Sequence, residues 1–215
     1  MKEILLFLTL IISIFIANQI SLKKLYLFFL KTFKSEKTAK IIITILFFPG
    51  TIIHELSHFL TAIILFQKIH SFEILPSFEK NQLILGSVRY YKTDFLRGII
   101  IGIAPFFVGL LSLYCLNYFN IFPAGNIGLN IFFGYLVFVI SSTMFSSKKD
   151  LVDLIYIIPL ILIILFAFYI FNLRLEINPK IIEEIVFNIS QFLKPINLYL
   201  LLSLIINLFV ILIFF

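Results

Sequence analysis

The sequence predicts an all-α polytopic membrane protein of about six transmembrane helices with a small β-hairpin or sheet at the membrane surface. Three observations carry that prediction. Hydrophobic residues make up 61% of the 215 positions and charged residues 13%, and the mean hydropathy of +1.13 leaves too little polar surface for a water-soluble domain of this size. Apolar runs long enough to cross a hydrocarbon core recur along the whole chain. The basic residues are gathered in short connections beside those runs.

Taken in order, the apolar runs cover about residues 3–20, 41–66, 96–119, 129–145, 151–172 and 196–215. The first follows Met1, Lys2 and Glu3 and has no small-x-small cleavage site after it, so it reads as a retained anchor. Between the first two runs, residues 21–40 carry six lysines interleaved with Leu25, Phe28, Phe29, Leu30 and Phe33. That pattern suits an interfacial amphipathic helix or a solvated basic loop. Residues 179–193 have a similar character, with Glu183 and Glu184 on a polar face, and Pro195 is expected to interrupt the chain after them. Residues 72–75 and 83–91 are rich in branched and aromatic side chains, separated by Pro76 and by Glu79, Lys80 and Asn81, as in a hairpin. With no repeat, low-complexity tract or polar domain, residues 1–215 form a single membrane domain.

Seventeen basic against eleven acidic residues give a net charge of +6, placed where lipid head groups rather than nucleic acid would meet it. The lone Cys115 permits no intrachain disulfide. Basic residues on the two sets of connections nearly balance, so orientation stays open; a multi-pass location in the cell membrane is the expectation.

Within the second apolar run stands His54-Glu55-Leu56-Ser57-His58. The chain has three histidines, so a chance match to this pattern is expected about 0.01 times or less. On a helix, residues i and i+4 share one face, and both imidazoles can reach one zinc ion. Glu55 then flanks the ion, placed to take a proton from its water as general base. Ionisable groups inside a membrane are costly, and a metal centre explains them better than hydrogen bonds to neighbouring helices.

A catalytic zinc takes three protein ligands, so a third donor is required. The candidates are Asp94, Asp150, Asp153 and His70. His70 belongs to the hairpin and Asp94, near Arg97, reads as a surface ion-pair partner. Counting spans puts the hairpin and Asp150 on the same membrane face, whereas His54 and His58 lie about 12–18 Å below it at the helical rise. The fourth run ends early, at Ser141-Ser142-Thr143, and the polar stretch after it can dip inward and carry Asp150 with it. Asp150 is thus the leading third ligand, with Asp153 as the alternative and a helix N-cap as the competing role for Asp150.

Over residues 41–155 the chain resembles the site-2 protease family of intramembrane zinc metalloproteases. The likeness rests on Phe48-Pro49-Gly50-Thr51-Ile52-Ile53-His54-Glu55-Leu56-Ser57-His58, the strand-forming segment after it, Gly102-Ile103-Ala104-Pro105, and an aspartate-bearing element beyond. The resemblance implies His54, His58 and Asp150 as zinc ligands and Glu55 as catalytic base. It also implies transmembrane proteins or peptides as substrates, cut in or near their spanning segments. No Asp-Gly pair occurs in this chain, unlike the better-known branches, so it looks like a divergent branch. The second function class open to these residues is a non-catalytic metal-binding membrane protein, either scaffold or transporter. Glu at the position after the first histidine favours catalysis, since metal binding alone has no need of it. An exposed strand edge in the hairpin could bind an extended substrate, or the hairpin could be purely structural.

Overall fold

The computed structural model describes residues 1–73, 77–79, 82–84, 87–91, 93–147, 150, 152, 155, 157–171 and 178–214. Their order is α1 (Lys2–Phe33), α2 (Glu36–Ile64), β1 (Ile69–Glu73), β2 (Ser77–Glu79), β3 (Gln82–Ile84), β4 (Ser87–Tyr90), α3 (Phe95–Tyr118), α4 (Ile127–Thr143), α5 (Ile157–Ile170) and α6 (Pro179–Ile213). The six apolar runs become six helices, and the all-α membrane architecture with a small antiparallel sheet is what the structure shows. Four of them, α1, α2, α3 and α6, are long and apolar enough to cross a membrane. The 17 residues of α4 and 14 of α5 reach about 25 and 21 Å, short of a core about 30 Å thick.

Two expectations are corrected. Residues 21–33 are neither a separate interfacial helix nor a loop; they continue α1. Nothing there breaks a helix, since Lys, Leu and Phe all keep their backbone donors. The break comes at Lys34, whose φ of 52° is left-handed, and Ser35 then caps α2 by accepting the Thr38 N–H at 3.3 Å. At about 48 Å, α1 outlasts the hydrocarbon core, so its later turns can carry lysines to the polar boundary. Nor does Pro195 interrupt the chain, because α6 runs straight through it. A proline withdraws one helical donor, and Ile196, Tyr199 and Leu200 just beyond it are buried in the bundle, which holds the helix in place.

Glu3 meets Asn197, Ser21 meets Asn207 and Lys24 meets the Ile211 carbonyl, so α1 and α6 lie side by side and parallel. One apolar core joins Leu10 and Ile14 of α1, Leu110 and Leu113 of α3, Val137 and Ile140 of α4, and Ile196 and Leu200 of α6. A buried polar seam threads α1, α4 and α6. Ser21 donates to Asn207 Oδ1 at 2.6 Å, the Asn207 amide to the Ser203 carbonyl at 3.1 Å, and Asn18 to the Ser142 carbonyl at 2.8 Å. In lipid such small polar groups join helices by side-chain hydrogen bonds.

The surface element is two nested ladders, not one: β1 pairs with β4 and β2 with β3, both antiparallel. The expected strand over 83–91 contains residues of both β3 and β4, and β2 lies in the stretch expected to separate the strands. Pro76, Lys80 and Asn81 lie outside the described residues. The Phe72 ring stacks on Phe59 of α2 with centroids 4.2 Å apart, which seats β1 on the helix that carries the His-Glu motif.

Candidate metal centre

His54 and His58 stand one turn apart on α2, with their Nε2 atoms 3.2 Å from each other. This is the i, i+4 geometry made concrete. Asp150 reaches the same point from beyond α4: its oxygens are 4.0 Å from His54 Nε2 and 3.7 Å from His58 Nε2. One donor atom from each of the three residues lies within 4.8 Å of the others, an arrangement that can hold a metal ion. The side chains of His54 and His58 are only 14% and 8% exposed.

Backbone carbonyls decide which ring nitrogens face the centre. His54 Nδ1 lies 2.7 Å from the Thr143 carbonyl and His58 Nδ1 lies 2.8 Å from the Ile101 carbonyl. A carbonyl can only accept, so each Nδ1 carries the proton. Each ring, when neutral, turns a bare lone pair on Nε2 toward the other ring. With the two oxygens of Asp150, four acceptors face one another, and a positive charge among them removes the mutual repulsion.

Close helix contacts make this possible. A Cβ on Gly50 would collide with the Thr143 hydroxyl and with Val139, so only glycine lets α2 approach α4 closely enough for His54 to meet Thr143. A Cβ on Gly102 would strike the Asp150 carbonyl oxygen, so α3 offers bare backbone where the aspartate-bearing segment lies across it. Ser146 fastens that segment by donating to the Gly102 carbonyl at 2.7 Å. Asp150 itself closes a tight turn, accepting the Ser147 N–H at 2.6 Å.

Glu55 is half-buried, and its carboxylate lies within electrostatic reach of Asp150. The other candidate ligands are elsewhere. His70 is exposed on β1 and packs edge-on against Tyr91, with centroids 5.7 Å apart. Asp94 caps α3 and pairs with Arg97 Nε at 3.2 Å, as a surface ion-pair partner should. Asp153 lies outside the described residues. The carbonyls of Thr143 and Ile101, and the fastening by Ser146 and Ser147, escaped the sequence reading. Backbone acceptors have no residue-type signature; the early polar end of the fourth run was the available sign. Comparison with family models, with curated proteins and with solved structures finds no match.

Proposed function

We propose that the chain is an intramembrane zinc metalloendopeptidase, hydrolysing peptide bonds in or near the transmembrane segments of other proteins in the cell membrane. The observation that supports this most is the set of four acceptors gathered by His54, His58 and Asp150 in a half-buried place next to a glutamate. Around a tetrahedral zinc with ligand bonds of about 2.0–2.1 Å, neighbouring donors stand about 3.3 Å apart. Separations of 3.2, 3.7 and 4.0 Å suit that ion with small adjustment. Zinc held there would supply Lewis acidity, polarising a peptide carbonyl and making water easier to deprotonate.

The chain's own groups do the rest. Glu55 accepts a proton from the water whose oxygen bonds to the carbonyl carbon, and delivers it to the amine nitrogen as the carbon–nitrogen bond breaks. The Thr143 and Ile101 carbonyls keep both imidazoles in the ligating tautomer. The β1–β4 ladder, seated on α2 through Phe59 and Phe72, offers a strand edge along which an extended substrate can pair. The likeness of the His-Glu segment to site-2 proteases points to the same activity.

The test is Glu55→Gln in the purified full-length protein, with zinc content and cleavage of a membrane-anchored helical substrate both measured. Loss of cleavage with zinc retained is the expected result. Equal cleavage by the variant would remove Glu55 from the mechanism. Stoichiometric zinc in a wild-type protein that never cuts would favour a metal-binding scaffold or transporter.

A further inference from the structure

In an uninterrupted helix the carbonyl of residue 101 bonds to the N–H of residue 105. Here residue 105 is Pro105, within α3, and proline has no N–H to give. The Ile101 carbonyl is therefore without its ordinary donor, in a place where Ile101 is 1% exposed and Pro105 is fully buried. No water competes there, and an unsatisfied carbonyl in an apolar bundle is costly. The donor that meets it is His58 Nδ1, at 2.8 Å.

We infer that Pro105 is a positioning residue for the metal centre: by withholding a helical donor from Ile101, it reserves that carbonyl for His58 and leaves the His58 Nε2 lone pair for the ion. The inference rests on the metal-binding reading above. His54 obtains its acceptor by the other available route, since Thr143 is the last residue of α4 and the final carbonyls of a helix have no partner within it. The two ligands on α2 are thus oriented by two orphan carbonyls, one made by proline and one by helix termination. Restoring an N–H at residue 105 sets a covalently tethered donor in competition with the imidazole. His58 is then free to carry its proton on Nε2, where it blocks ligation.

The full-length protein labelled with 15N-histidine, stripped of metal in detergent, gives a direct readout, because the two ring nitrogens resonate differently in the two tautomers. The native protein is expected to hold His58 protonated on Nδ1. Pro105→Ala is expected to bring up the Nε2-protonated form and to weaken zinc binding about 10–100-fold in a competition titration. Replacing Pro105 by lactic acid, which joins residue 104 through an ester and has neither ring nor N–H, is expected to restore the native tautomer and affinity. An Ala variant with the native tautomer overturns the inference, as does an ester variant that behaves like alanine. If the Ala variant does not fold, the ester variant alone decides: the native tautomer supports the inference and a changed one overturns it. The tautomer is read without metal, so a protein that binds no zinc yet responds to the N–H keeps the inference while losing the protease reading.

Discussion

Ser147 turns its N–H to the Asp150 carboxylate, 2.6 Å away, instead of to Thr143, the residue four positions earlier that a continuing helix would pair it with. The carbonyl released by that choice is the one that meets His54 Nδ1 at 2.7 Å. That exchange of partners, just past the end of α4, leaves the Thr143 carbonyl open to orient a ligand.

Asp150 therefore has two tasks that substitution can separate. Asp150→Asn keeps an oxygen for the Ser147 N–H and loses the charge, so zinc affinity should fall while the turn persists. Asp150→Ala loses the acceptor as well, freeing the Ser147 N–H to compete with His54 for the Thr143 carbonyl. The Ala variant should bind zinc more weakly than the Asn variant, by about a further 10-fold or more. Competition titration against a chromophoric chelator measures both, with Asp94→Asn as a control expected to bind normally. Equal affinities for the two Asp150 variants would separate the turn from the ligand.

Gly102→Ala places a methyl group against the Asp150 carbonyl oxygen, a backbone atom that cannot swing aside. Overpacking of this kind costs about 1–3 kcal/mol, and relief by moving the 144–150 segment would pull the carboxylate from the histidines. Zinc affinity should drop together with thermal stability. Gly134→Ala meets nothing within 4 Å and gains helix propensity of about 1 kcal/mol, so it should bind zinc as the native chain does.

The polar seam calls for a small effect rather than a large one. Ser21→Ala and Asn207→Ala each remove the 2.6 Å bond between α1 and α6. A double-mutant cycle across this pair should return a coupling of about 0.6 kcal/mol, with about 1.7 kcal/mol as the upper bound. Reversible unfolding in mixed micelles supplies the numbers. A coupling near zero would mean that this bond adds nothing to the contact between α1 and α6.

Outside the spans, acidity acts through Asp94. Its carboxyl titrates below the usual aspartate range, chiefly because it accepts the Arg97 backbone N–H, with Thr93 and the Arg97 guanidinium adding to the effect. A depressed folded-state value makes its stabilisation complete above the ordinary aspartate pKa, and the contribution disappears as pH falls through the depressed one. Thermal melts from neutral pH down to strong acid should show a small acid-limb loss in the native chain. Asp94→Asn should lack that component, and an identical acid limb in the two would remove Asp94 as its source.

What the sequence made legible was local. Two histidines at i and i+4 share a helix face whatever surrounds them, and branched and aromatic residues around 72 and 88 mark strands. The continuation of α1 through residues 21–33 is hidden by its lysines, which mark a change of solvent and not a helix end, since helical hydrogen bonds do not depend on where lipid ends. Pro195 misled in the same way, since bundle packing outweighs one missing donor. Asp150 stood in the sequence as the leading third ligand beside Asp153, but the atoms that orient the site are carbonyls of Thr143 and Ile101, and no residue letter marks a carbonyl. Pro105, four positions after Ile101, is a trace of one of them, and the early polar end of the fourth run at Thr143 is a trace of the other.

The flat stack of Phe72 on Phe59 has a mechanical consequence, because Phe59 is the very next residue after His58. The ladder therefore grips α2 within one residue of an imidazole. One aromatic contact is thus the shortest mechanical path between the surface ladder and a side chain of the buried centre.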